Sequence, residues 1–175
     1  SDSARKSLVN EGKDRLSNQL SMAMDLVRIS HELLRRDVEK VLGVASYELE
    51  QVGGVSVDEG SEPFVWNAVN QYTGVAGTVA LPPMRLGNGE HIKAVSSFQQ
   101  QVPIVDVIGR TTGDTATLFQ RMNEKGDMLR IATNVREEGK RAVGTYIPAV
   151  NPNGTPNPVV STILKGETFR GRAFV

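Results

Sequence analysis

The chain has 175 residues, no cysteine, and 20 basic side chains against 20 acidic ones, for a formal net charge of zero. That length supports one domain with a real core and room for one appended element, and the charge balance argues against a general nucleic-acid binder. The missing cysteine excludes disulfides, thiolate metal sites and thiol catalysis, and it suits an oxidising compartment such as a bacterial periplasm.

From Ser3 to about Glu50 there is no proline, and the only glycines are Gly12 and Gly43. Leu20, Met24, Val27, His31, Leu34, Val38, Val41 and Ala45 recur at alternating steps of four and three, a heptad seam. Residues 1–51 therefore read as one long helix. Two readings stand side by side: pairing with another helix, or an amphipathic face laid on the domain's own sheet. His31 on the seam reads as a packed or interfacial histidine rather than a metal ligand. Gly53 and Gly54 end the helix, since glycine takes the left-handed cap conformation at little cost.

Beyond residue 52 the pattern changes period. GVSVD (54–58), PFVWNAVNQYTG (63–74), VAGTVALPPMRLG (75–87), TATLFQRM (115–122), MLRIATNV (128–135) and the final TFRGRAFV (168–175) are strand-like runs bounded by Gly, Pro or Asn. Two short helices interrupt them. VPIVDVIGR (102–110) carries Pro103 in its first turn; in NPVVSTILKGE (157–167) Asn157 caps, Pro158 takes the first helical position and Gly166 ends the helix. RMNEKGDML (121–129) reads as a hairpin turning at Gly126, and NPNGTPNP (151–158) as a connector. The expected architecture is α+β, with residues 52–175 forming a mainly antiparallel sheet domain behind the helix.

The usual catalytic constellations are missing. His31 and His91 stand in unrelated contexts, there is no H-E-x-x-H, no G-x-S-x-G elbow and no Walker pattern, and GRTTGDT reads as a helix end and turn. Neither a catalytic residue nor a cofactor is expected. What remains is a set of arginines and aromatics in strands. Arg121 and Arg130 flank the hairpin, and Arg170 and Arg172 share one face of the last strand, where their planar forks suit a carboxylate. An exposed edge guarded by arginines is the competing explanation. Trp66, Tyr72 and Tyr146 form either an apolar wall with polar tips or ordinary core aromatics.

The blocks FVWNAVNQYTGVAGTVALPPMRLG (64–87), TLFQRMNEKGDMLRIATNV (117–135) and GTYIPAVNPNGTPNPVVSTILKGETFRGRAFV (144–175) together resemble the extracytoplasmic Cache sensor domain of bacterial methyl-accepting chemotaxis proteins. Within that group they look most like the single-Cache subgroup, over residues 55–175. The resemblance implies a PAS-like antiparallel sheet with the long helix packed on one face and a small-molecule pocket on the other. It also implies a homodimer and a periplasmic domain of an inner-membrane receptor, tied to the membrane only by flanking segments. In such domains further strands follow the one matching 168–175, so the chain is expected to be a fragment cut at its C-terminus. Carried over residue by residue, the resemblance points to Arg130, Thr133, Tyr146, Arg170 and Arg172 near a pocket for a short carboxylate, with Arg121 and Trp66 behind them. A sensor of a histidine kinase or cyclic-dinucleotide enzyme and a non-binding dimerising module are the alternatives.

Overall fold

The computed structural model describes residues 2–165, with side chains described at 2–24 and 36–165. The strand expected over 168–175 with Arg170 and Arg172, the glycine expected to end the last helix (Gly166), and the seam side chains of Val27, His31 and Leu34 lie outside the described residues.

The proline-free segment forms a single helix, α1 (Asp2–Gln51). It stops where its glycines stand. Gly54 N–H donates to Leu49 O at 2.7 Å and Gly53 N–H to Glu50 O at 3.1 Å, the paired bonds of a Schellman cap. The chain divides into two compact units, residues 1–39 and 40–175, and the division falls inside α1. In the first unit Leu8, Leu16, Leu20 and Met24 are exposed along the helix.

In the second unit β2 (Phe64–Asn70), β3 (Ala76–Leu81), β5 (Thr117–Arg121), β6 (Met128–Thr133) and β9 (Thr145–Ile147) build a five-stranded sheet in the order β3-β2-β9-β6-β5. The side-chain alternation of β2 explains its place. Trp66 and Ala68 are buried while Val65 and Asn67 face solvent. β6 is buried at every position because it lies inside the sheet with both faces covered. Trp66, Ala68, Leu81, Leu129 and Ile131 form the core on one face; Met128 and Ile147 pack with Val160 on the other. Each such large apolar side chain contributes about 1.5–3 kcal/mol by leaving water.

The β5–β6 hairpin turns as expected at Gly126, whose φ is 94°. Helix α3 (Pro158–Leu164) is capped by Asn157, whose side-chain oxygen accepts from the N–H groups of Val159 and Val160. The α+β class is thus as the sequence indicates.

Four details differ. The run 75–87 is not one strand: Pro82 and Pro83 cannot donate to a ladder, so it breaks into β3 and β4 (Met84–Leu86), and β4 pairs instead with β1 (Val55–Val57) in a separate ribbon. Helix α2 spans Val105–Thr112 and starts after Pro103, which lies outside its first turn. Ahead of it Ile104 sits at φ 68° with Val105 N–H donating to Pro103 O, a γ-turn that is rare for a β-branched residue. Within GTYIP lies the three-residue β9, parallel to β2 and antiparallel to β6 at the centre of the sheet. Finally, β7 (Arg136–Glu137) and β8 (Lys140–Arg141) make a small ribbon of their own.

Candidate functional site

A cavity of about 500 Å³ lies over the core face of the sheet. Its floor is Leu118 of β5 and Ala132 of β6. These two residues pair across the strands where the β5–β6 register shifts by one, a bulge that turns both Ile131 and Ala132 toward this face. The walls come from the segment after β4 (Gly89 to Val95), from Gln100 to Pro103 ahead of α2, and from Val52, the residue that follows α1. Apolar side chains dominate, with Glu90, His91, Lys93, Gln100 and Gln101 as the polar groups. An apolar chamber with a few convergent polar groups is the usual form of a small-molecule site.

One wall is fixed by a charged knot. Asp58, just past β1, accepts at Oδ2 from Arg85 Nη2 (2.7 Å) and Ser61 Oγ (2.9 Å), and the same oxygen lies 2.8 Å from His91 Nε2. Arg85 Nη2 is also 2.8 Å from His91 Nε2, and Arg85 Nη1 donates to Gly89 O. The Phe64 ring meets the imidazole edge-on. Hydrogen bonds from His91, Arg85 and Ser61 hold the Asp58 carboxyl well below the usual carboxylate range. The knot binds β1, β4 and the cavity wall into one piece.

The opposite wall is clasped by Arg141 of β8, which is 4% exposed. Its Nη1 donates to Asp106 Oδ1 (2.7 Å) and Thr133 O (3.0 Å), its Nη2 to Asp106 Oδ2 (2.8 Å) and Gln100 O (3.0 Å), and its Nε to Ser97 O (3.2 Å). All five guanidinium donors are therefore filled. One side chain joins the sheet, α2 and the loop that roofs the cavity. Phe98 of that loop lies against both Arg141 and Arg136, at 4.5 and 3.9 Å from ring centroid to guanidinium carbon. Burial pushes the Asp106 carboxyl up, but hydrogen bonds from Arg141 and Val102 N–H and the charge of Arg141 outweigh it, and the net shift is downward.

None of the five described candidates from the sequence lines this cavity. Arg130 is 2% exposed on the other face of the sheet. There it donates to Thr145 Oγ1 (2.7 Å) and Gln71 Oε1 (2.9 Å), lies against Phe119, and keeps a buried Nε without an acceptor. Thr133 is fully buried, with its hydroxyl 2.7 Å from that of Thr117. Trp66 and Tyr146 belong to the core face; Trp66 is buried in the core, and the half-buried Tyr146 accepts from Asn70 Nδ2 through its hydroxyl. Arg121 is exposed and braces the hairpin by donating to Asn123 O and Glu124 O. The sequence reading passed over Arg141, Asp106, Asp58 and Arg85. They stand far apart in the chain, in segments without periodicity, so no local signal marks them. His91 was noted but given no role.

Among the described residues no helix is long and apolar enough to cross a membrane, and no cluster of His, Asp and Glu has the geometry to hold a metal ion. No curated protein and no solved structure matches the chain. A family model for the Cache 3/Cache 2 fusion domain matches residues 1–175, so the match is to the fusion type and not to the single-Cache subgroup that the sequence blocks resemble. With a helix ahead of a PAS-like five-stranded sheet and a match over its whole length, the chain belongs to the Cache 3/Cache 2 fusion domain family, one of extracellular, non-catalytic sensor modules.

Proposed function

We propose that this chain is the ligand-sensing domain of a bacterial membrane receptor, of the chemotaxis type, and that its ligand is a short organic carboxylate held in the cavity over β5 and β6. The observation that carries this reading is the cavity itself: a chamber of about 500 Å³ with an apolar floor and one wall that carries His91 and Lys93 beside Glu90. A short carboxylate has an apolar body for Leu118, Val102 and Ile92 and an anionic head for the Lys93 ammonium.

Val52 supplies the route by which occupancy reaches the helix. It lines the cavity and follows α1 directly, and Gly87 N–H donates to Gly54 O at 2.8 Å, pinning that helix end to the strand that leads into the cavity wall. A ligand that changes the spacing of these walls shifts the end of α1. The exposed Leu8, Leu16, Leu20 and Met24 favour a homodimer formed through the same helix. A histidine kinase or cyclic-dinucleotide output is served by the same sensor, and the full-length gene separates those readings.

The test is a thermal-shift screen of the chain against short mono- and dicarboxylates, amino acids and purines. A true ligand at a hundredfold excess over its dissociation constant adds about 2.7 kcal/mol, a rise of about 5–10 °C for a domain of this size. A shift confined to carboxylates is the expected result. A cooperative melt that no compound moves would favour a dimerising module without a ligand.

A further inference from the structure

The two edges of the five-stranded sheet are unlike each other. β5 is guarded. Its ladder with β6 slips by one residue between Leu118 and Phe119, Gln120 is buried with its amide donating to Pro82 O at 2.8 Å, and the strand ends on the exposed Arg121. β3 has none of these devices. It pairs with β2 in unbroken register from Ala76 to Leu81, and Ala76, Gly77, Thr78 and Ala80 are exposed. No charged side chain occurs from Pro63 to Met84, so the whole β2–β3 hairpin is neutral. Beside Ala80 on the same face, Val65 of β2 is 74% exposed.

The hydrogen bonds fix which backbone groups this edge offers. Asn70 N–H donates to Val75 O at 2.9 Å, whereas Val69 N–H donates to Gly144 O and Gln71 N–H to Tyr146 O. Even-numbered residues of β2 therefore bond toward β3 and odd-numbered ones toward β9. With Asn67 opposite Thr78, the alternation turns the N–H and C=O of Val75, Gly77, Val79 and Leu81 toward β2 and those of Ala76, Thr78 and Ala80 outward. Among the described residues these outward groups meet no partner. Pro82 closes the edge, since it has no N–H to offer.

The outward series Ala76, Thr78, Ala80 reads the same in both directions. We propose that β3 is a docking edge for a second copy of this chain, the two β3 strands pairing antiparallel about a two-fold axis at Thr78 so that their sheets join into one. In that register Thr78 faces Thr78 of the second copy, Ala76 faces Ala80, Gly77 faces Val79 and Val75 faces Leu81. Every pair is apolar or hydroxyl, and no like charges meet. The edge carries no charge with which to select a foreign strand, but it matches its own reversed sequence, which commits it to a second copy. The contact is independent of the ligand reading, because the cavity floor, Leu118 and Ala132, belongs to the two strands at the other end of the sheet. It is also separate from pairing through α1, and a second two-fold contact of this kind links such dimers to one another.

The chain has no cysteine, so a single introduced thiol reports its own position without background. Thr78→Cys sets two thiols opposite each other across the axis, on Cα atoms about 5.5 Å apart. Asn67→Cys, in line with Thr78 and one strand further in, sets them about 15 Å apart. Both positions are exposed. A short bifunctional thiol reagent is expected to join full-length Thr78→Cys chains at least about tenfold faster than Asn67→Cys chains. Sedimentation over a concentration series then compares the parent with Thr78→Arg, which places two like charges face to face on the axis. The largest species is expected to fall to half its mass or less, with the melting temperature unchanged because the side chain is exposed. α1 is the same in both chains, so its pairing cannot produce that difference. Equal cross-linking at the two cysteines, or an unchanged mass for Thr78→Arg, overturns the proposal. So does a mass that climbs without limit while both cysteines react alike, the mark of unregistered aggregation. The cysteine pair decides the matter by itself if Thr78→Arg fails to fold.

Discussion

Arg141 and Arg130 are equally buried arginines in opposite circumstances, and their replacement separates what a buried cation contributes from what it costs. Arg141→Ala removes a side chain that is 4% exposed and whose five donors all have acceptors. It strands the Asp106 carboxylate, a side chain only 15% exposed, together with the carbonyls of Ser97, Gln100 and Thr133. Breaking a buried pair by removing one partner costs about 3–5 kcal/mol, against about 0–1 kcal/mol for an exposed pair. At roughly 2–4 °C per kcal/mol for a domain of this length, the melting temperature is expected to fall by about 6–20 °C. Arg141→Lys keeps the charge without the planar fork and is expected to recover less than half of the loss. Arg130 has neutral partners and an orphan Nε, so Arg130→Met exchanges a poorly satisfied buried ion for an apolar chain and is expected to cost about 1 kcal/mol or less. Thermal and urea unfolding followed by circular dichroism measure all three. A melting temperature for Arg141→Ala within about 2 °C of the parent, or an Arg130→Met loss as large as that of Arg141→Ala, would refute the reasoning.

Three further outcomes are expected. Gly87→Ala places a Cβ where Val52 O already lies, 1.8 Å away, at a φ of 54°; a loss of more than about 2 kcal/mol in urea unfolding follows from displaced backbone, and a value near zero would show that the α1–β4 junction is slack. Asn157→Ala removes the cap of α3 and the amide that donates to Tyr72 Oη and Asn151 Oδ1, for an expected loss of about 1–2 kcal/mol by the same assay. The Asp106 carboxyl is held below its ordinary value, so its contribution is complete above the unfolded value near about 3.9 and is lost as pH falls through the folded one. The melting temperature of the parent is therefore expected to drop steeply below about pH 4, whereas Asp106→Asn starts lower at neutral pH and declines less; parallel curves would contradict this.

What could be read from the sequence follows from how local each signal is. The α1 stop, the Gly126 turn and the Asn157–Pro158 start of α3 are each set by residues within a few positions of one another, and the structure agrees with all three. β9 was hidden because its three residues have too few alternations to show a period, and because its pairing with β2 joins segments about 75 residues apart. The cavity was hidden for the same reason. Its floor depends on a one-residue bulge, its walls on Arg141 reaching Asp106 and on Asp58 reaching Arg85 and His91. Arginine in a strand was a fair guide to a buried charged group, since Arg130 is one, but the alternation that named it could not say which face it serves.

The parallel seam between β2 and β9 also governs the order in which the chain can assemble. β2 with β3, and β5 with β6, are hairpins whose partners lie close in sequence, and each can close soon after its residues exist. In the ladder of strand hydrogen bonds the two halves are joined through β9, which pairs with β2 on one side and β6 on the other. Until residues 145–147 are in place, β2 and β6 each carry an open edge, and the cluster that joins Trp66 and Ala68 to Leu129 and Ile131 lacks the strand that holds its two sides in register. A three-residue strand thus acts as the keystone, and substitutions in it are expected to slow the slowest folding step more than they weaken the finished domain.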